Sequence, residues 1–258
     1  MGNREINEGR KMSDKEERLN NLFSIEGKVA LVTGSGSGIG KAIADGFREA
    51  GAIVYYGIHN LKDEENQKYK LSVENFVSRE KFLDKIQEKY DRLDILVNSA
   101  GVTLPGYELL YWDCTMDINL KGIYLLCESV KNRFMKKQNK GSIINVTSIN
   151  ADIAGSYNPA YNTSKAALKM LTKSMAKDWA ECNIRVNNLC PGYTRTKMTK
   201  GSYADDENRK ERENRIMLGR YAESEEMVGP AIFLASDASS YITGSDIVVD
   251  GGFLYNGI

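Results

Sequence analysis

Lys28-Val29-Ala30-Leu31-Val32-Thr33-Gly34-Ser35-Gly36-Ser37-Gly38-Ile39-Gly40 begins as an apolar run and ends in glycines. Val29–Thr33 has the pattern of a fully buried strand. Beyond the glycines, Ile39, Ile43, Phe47 and Ala50 recur at helical spacing and mark one apolar face. Strand, glycine turn and helix open a βαβ unit. Glycines at this turn let the backbone approach an anion such as a pyrophosphate, and the following helix offers unpaired N–H groups to it. The spacing is Gly-x-x-x-Gly-x-Gly (Gly34, Gly38, Gly40), with Gly36 extra, rather than Gly-x-Gly-x-x-Gly. A ligand-free turn is the alternative reading, but the strand before it and the helix behind it favour a nucleotide.

Outward from this unit the alternation repeats. Ile53–Tyr56, Leu93–Val97, Ser142–Val146, Ile184–Asn187 and Ile247–Val249 read as further short strands. A helix of about 20 residues passes through Leu120, Tyr124, Leu125 and Cys127, and another follows Pro159. Such alternation predicts a Rossmann-like α/β fold: a doubly wound parallel sheet with helices on both faces, in three layers. No repeat and no linker interrupts it, so residues 22–258 are expected to form one domain. Residues 1–21 are nearly all polar and read as a flexible N-terminal arm. Residues 194–215 are dense in charge and poor in core residues. They read either as a solvated surface helix or as a mobile lid, because they follow a strand end where α/β sheets place ligands.

Composition narrows the function. The chain has 258 residues with 35 basic and 35 acidic side chains, a formal net charge of zero. That balance argues against nucleic-acid binding. No apolar run reaches the roughly 18 residues of a membrane span, and the charged N-terminus is not a secretory signal, so a cytoplasmic protein is expected. His59 is the single histidine, and the four cysteines form no Cys-x-x-Cys pair. No metal site is expected, and proton chemistry must use other side chains.

Three further stretches carry chemistry. Asn98-Ser99-Ala100-Gly101 closes a strand with small residues, which lets a ligand lie against the backbone. Tyr161 and Lys165 are spaced i, i+4 on a helix, so they share a face. A nearby ammonium favours phenolate, so the tyrosine is expected to titrate below its usual value of about 10 and to act as a general acid and base. Ser148 lies at the end of the Ile143–Val146 strand, where its hydroxyl could hold a substrate oxygen. Asn119 interrupts an otherwise core-like helix, which suggests a polar role.

Together these stretches resemble the short-chain dehydrogenase/reductase family over about residues 25–258. Thr33–Gly40 corresponds to its nucleotide motif, Asn98–Gly101 to its Asn-Asn-Ala-Gly motif, and Ser148, Tyr161 and Lys165 fall at its separations. Pro191-Gly192-Tyr193-Thr194-Arg195-Thr196 looks like its segment beside the nicotinamide, and Asp250-Gly251-Gly252 like its C-terminal signature. The resemblance implies that Tyr161 is the acid/base and that Lys165 lowers its pKa and binds the nicotinamide ribose. It implies that Ser148 bonds the substrate oxygen and Asn119 holds a water of the proton relay. Gly34, Ser37, Gly38, Ile39, Gly40, His59, Asn98, Ala100, Gly101, Tyr161, Lys165, Pro191, Gly192, Thr194 and Thr196 are the implied cofactor contacts.

Departures from the family pattern are Ser99 in place of the second Asn and an atypical stretch over 57–75. Ile58-His59-Asn60 stands where an acid usually follows the second strand, and Ser72, Glu74 or Asn75 where an Asp usually contacts adenine. A carboxylate after the second strand would favour NAD(H) by repelling a 2′-phosphate; without it, with His59 and Lys62 near, NADP(H) is expected over NAD(H). The implied function is an oxidoreductase moving a hydride between nicotinamide and a secondary alcohol or ketone. The opening Leu22–Lys28 and the segment Glu226–Pro230 look similar to sugar-acid and polyol dehydrogenases. The alternatives are a 3-oxoacyl-(acyl-carrier-protein) reductase and a non-catalytic dinucleotide-binding regulator. For the former, Lys197, Lys200, Arg209, Lys210, Arg212 and Arg215 could supply a basic docking surface. The family also implies a homotetramer or homodimer, with helices at about 113–136 and 159–179 and the segment Gly252–Tyr255 at the interfaces.

Overall fold

The protein is described by a computed structural model for residues 14–256, except residues 63, 65 and 156. Its strands are β1 (Val29–Thr33), β2 (Ile53–Ile58), β3 (Lys68–Lys70), β4 (Ile95–Asn98), β5 (Gly141–Val146), β6 (Ile184–Pro191) and β7 (Asp246–Val249). They form one parallel sheet in the order β3-β2-β1-β4-β5-β6-β7. The chain moves outward from β1 to β2 and β3, then returns to place β4 on the other side of β1. That reversal opens a crevice at the carboxyl ends of β1 and β4.

Alternation along β1 builds both faces of the core. Val29 and Leu31 pack with Phe82, Leu83 and Ile86 of α3 (Phe76–Tyr90) and with Ile123 and Leu126 further on. Ala30 and Val32 face Ile43 and Phe47 of α2 (Gly38–Glu49). The three-layer arrangement expected from the sequence is the one observed.

α1 (Asp14–Phe23) precedes β1, and its Phe23 ring lies 6.4 Å from that of Phe233. Of the arm expected over 1–21, residues 14–21 therefore belong to a helix rather than to unstructured chain; residues 1–13 lie outside the described residues. α4 (Leu109–Met116) passes through a π-helical turn, Asp117–Gly122, into α5 (Ile123–Val130). A second π turn, Lys131–Met135, leads to α6 (Lys136–Gln138). α7 (Pro159–Trp179) starts with proline at its first turn, where the missing N–H has no intrahelical partner to lose. α8 (Lys200–Tyr203) and α9 (Asp206–Arg215) build the charged segment, and α10 (Val228–Ala235) covers the α2 side of the sheet. Among the described residues no helix is long and apolar enough to cross a membrane.

A row of amides crosses the buried sheet. Asn98, Asn145, Asn188 and Asp246 are register partners on β4, β5, β6 and β7. Asn98 Nδ2 donates to Asn145 Oδ1 at 2.8 Å, and Asn145 Nδ2 to Thr172 Oγ1 of α7 at 2.7 Å. Thr172 Oγ1 donates in turn to Asn188 Oδ1 at 2.7 Å, and Asn188 Nδ2 to Asp246 Oδ1 at 2.7 Å. Lys169 ends the row, bonding Asp246 at 3.1 Å and Asp152 at 2.6 Å. The row thus ties the helix carrying Tyr161 to four strands and to the turn after Ser148.

Candidate active site

β1 delivers the glycine turn to the crevice. Gly34 has φ +67°, and a Cβ there would lie 2.8 Å from the backbone of Ala100. A Cβ on Gly40 would meet the Gly34 carbonyl oxygen at 2.5 Å. Only glycine allows turn, helix and β4 exit to pack this closely. Thr33 Oγ1 locks the same junction by accepting the Ser99 N–H at 3.1 Å and the Ala100 N–H at 3.0 Å. Ser37, the extended residue before α2, makes no side-chain cap bond. The first-turn N–H groups of α2 are therefore left for an anion.

A cleft of about 1180 Å³ runs from this turn along the sheet's carboxyl edge. Every expected cofactor contact lines it except Asn98. At one end lie Ile58, His59, Asn60, Ser72, Val73 and Glu74. Asn75 does not join them, because its side chain caps α3 by accepting the Ser78 N–H at 2.9 Å. Lys62 is not part of the lining either.

At the other end Ser148, Tyr161 and Lys165 share the wall. Tyr161 and Lys165 come from the first turns of α7, and Ser148 follows β5. Lys165 Nζ donates to the Val146 carbonyl at 2.8 Å and lies 5.7 Å from the Tyr161 ring centre. Burial pulls Lys165 down to about 8 from its ordinary 10.5. Burial also raises Tyr161 above its ordinary value, and the hydroxyl of Ser148 opposes that rise. The lowered tyrosine pKa expected from the sequence is thus not found in the protein alone. Desolvation of the buried phenol is the largest influence on Tyr161, and Lys165 directs a hydrogen bond to the Val146 carbonyl rather than to it.

Two expected site residues do not reach the cleft. Asn98 is fully buried in the amide row, with Cys127 Sγ also 3.1 Å from its Nδ2. Its side chain holds β4 against β5. Asn119 sits in the first π turn, also fully buried. Its Oδ1 accepts the Val102 N–H at 2.8 Å, and its Nδ2 donates to Val102 O at 2.9 Å and to Ser164 Oγ at 3.2 Å. This side chain positions the strand exit at Val102 and the Ser164 hydroxyl of α7.

Sequence reading also missed participants. Val73 carries no motif signal, and Thr33 heads the glycine motif without its spacing showing that the hydroxyl locks the turn to the β4 exit. Asn150 and Asn158 line the cleft as well, and so do Tyr193, Arg212, Arg215 and Phe253, which the sequence suggests for other roles. Their signal lay only in following strand ends or in the charged segment. That segment is folded as α8 and α9 and forms a wall, while its first residues reach the glycine turn: Thr196 Cγ2 would lie 3.1 Å from a Cβ on Gly38.

The donor set fits a dinucleotide. A cradle closed by any side chain, free helix N–H groups and a long groove toward Lys165 suit a pyrophosphate with a ring at each end. The profile of the family described as enoyl-(acyl carrier protein) reductase matches residues 34–254. The chain belongs to the short-chain dehydrogenase/reductase family. It is an NAD(P)-dependent oxidoreductase of the class that acts on CH–OH groups. It is 34% identical over 249 residues to 2-dehydro-3-deoxy-D-gluconate 5-dehydrogenase of Dickeya dadantii (strain 3937), covering 91% of this chain and 98% of that one. Identity is 38% over 246 residues with a 3-oxoacyl-(acyl-carrier-protein) reductase of Thermotoga maritima, covering 89% and 99%. Among solved structures, a gluconate 5-dehydrogenase from Burkholderia cenocepacia J2315 in complex with NADP and tartrate superposes with a TM-score of 0.83. That chain is 30% identical, with 92% of this chain and 98% of that one covered.

Proposed function

We propose that this dehydrogenase interconverts a secondary alcohol and a ketone on a sugar acid, with NADP(H) as the preferred cofactor. The observation that carries the reading is that Ser148, Tyr161 and Lys165 meet in the cleft that begins at the glycine cradle. The nicotinamide, when bound, supplies or accepts the hydride. Tyr161 gives its proton to the carbonyl oxygen in reduction and removes it from the alcohol in oxidation. Ser148 donates to the same oxygen and fixes its position. Lys165, charged below about pH 8, binds the ribose and stabilises the phenolate. Asn119 is a positioning residue, holding Val102 and Ser164.

Similarity to gluconate and deoxygluconate enzymes supports the substrate class. The test is a panel of D-gluconate and 2-dehydro-3-deoxygluconate against acetoacetyl thioesters, each with both cofactors. Sugar-acid turnover is expected; turnover of the thioester alone would refute the class. The carrier-protein reductase reading is favoured by the Thermotoga maritima relative. An acidic carrier needs outward basic surface, however, and Arg209 is engaged by Asp206 at 2.8 Å and Glu213 at 3.7 Å.

Cofactor preference rests on the adenosine end. His59 and Asn60 are exposed there just beyond β2, with no carboxylate in either position. The 2′-phosphate repulsion that a carboxylate at this place exerts is therefore missing. Fluorescence titration of NADPH and NADH measures the difference directly. Tighter NADH binding would reverse the preference, and unchanged NADPH affinity in His59→Ala would remove His59 from the site.

A further inference from the structure

We infer that Arg212 and Arg215 of α9 form the subsite that recognises the carboxylate of the substrate, an inference that rests on the sugar-acid reading. The seven basic residues of the charged segment separate by where they point, and Arg195 is paired with Glu223 at 3.6 Å. Arg209 is neutralised by its own helix, whereas Lys200 and Lys210 are exposed and outside the cleft. Lys197, Arg212 and Arg215 line the cleft, with Glu211 the one acid beside them.

Neither Arg212 nor Arg215 has a carboxylate partner among the described residues. The Arg212 guanidinium lies 5.7 Å from the centre of the Tyr193 ring, and its Nη1 donates to the Ser202 and Asn208 carbonyls at 3.2 and 3.4 Å. The Arg215 guanidinium lies 4.9 Å from the centre of the Phe253 ring. Those two rings touch each other, 5.1 Å between centres, and pack in one cluster with Ile149, the residue after Ser148. The aromatic floor thus holds two guanidinium groups in the cleft that Ser148 also lines.

The carbonyls of Ser202 and Asn208 fix Arg212 by its Nη1, while the Phe253 ring holds the Arg215 fork without a hydrogen bond, and the remaining guanidinium donors match a carboxylate. A sugar acid presents a hydroxyl at one end and a carboxylate some carbons away, which fits Ser148 and Tyr161 at one point and the arginines at another. A neutral polyol offers these groups nothing that charge assists.

Calorimetry of D-gluconate and of sorbitol, which lacks the carboxylate, tests this on the full chain loaded with NADPH, where gluconate cannot turn over. Losing a charge-assisted hydrogen bond costs roughly 1.5–3 kcal/mol, or about 10- to 100-fold in affinity. Arg212→Gln and Arg215→Gln are each expected to weaken gluconate by that factor and leave sorbitol binding in place. Arg212→Lys is expected to recover part of the loss, since charge remains but the fork does not. Wild-type gluconate affinity in both Gln variants would overturn the subsite, as would equal losses for gluconate and sorbitol, or no gluconate binding to the wild type. Turnover separates the two claims. A wild type that binds gluconate through these arginines but reduces only thioesters would refute the sugar-acid function and leave the subsite standing.

Discussion

Tyr161 and Lys165 lie one helical turn apart, yet burial moves them in opposite directions, the phenol up and the ammonium down to about 8. Reduction needs a protonated phenol and a charged lysine to receive the phenolate. The kcat/KM for ketone reduction is therefore expected to stay level below pH 8 and fall as pH rises through about 8, read from a pH profile of the free enzyme. Replacing Tyr161 by Phe removes the proton donor. A loss of about 10²–10⁴-fold in turnover with intact NADPH fluorescence titration is expected; undiminished turnover would displace Tyr161 from its role. Lys165 also weighs on stability. Unfolded, it titrates at 10.5, so between about 8 and 10.5 the unfolded chain binds more protons and stability climbs with pH. Lys165→Met is expected to melt no lower than wild type at pH 7 while losing activity. A drop of several degrees in its Tm would show the buried charge to be well compensated.

α7 carries chemistry on its first turns and structure on its later ones. Thr172 is both acceptor for Asn145 and donor to Asn188. Thr172→Val keeps the shape and strands two buried amides, at a cost of about 2–4 kcal/mol. A lower urea midpoint with unchanged slope is expected, and an unmoved midpoint would mean the row contributes nothing net. Much of this element-level design was legible in advance. β1, the glycine turn and α2 declare themselves by an apolar run, φ-demanding glycines and helical spacing. β3 and α3 did not. β3 is a three-residue edge strand, Lys-Tyr-Lys, and α3 buries only Arg79, Phe82, Leu83 and Ile86 among many charges. Asn98 stands out through its motif and Asn119 as a polar residue inside an apolar helix, but neither signal shows the buried partners of the side chain. What decides their role is the partner across the sheet or the next loop, and strand register is set by tertiary packing that spacing along the chain does not contain.

At the scale of the whole chain, large apolar side chains remain exposed on one helix: Leu109 and Leu110 are each 73% exposed on α4, and Trp112 is 38% exposed. Tyr255 near the C-terminus is 80% exposed. Side chains like these are a common mark of association, and light scattering is expected to give a dimer or tetramer of the 28.8 kDa chain. A stable monomer at micromolar concentration would refute assembly. The segment that begins at Thr194 has a different consequence. Its first residues sit over the glycine turn, with Thr196 against Gly38, while its later helix supplies Arg212 and Arg215 to the opposite end of the same cleft. One stretch of chain thus walls the cleft both at the glycine turn and at the arginines. Turnover is therefore expected to be ordered, the dinucleotide binding first and leaving last; an alcohol product that competes directly with the ketone in product-inhibition kinetics would refute that order.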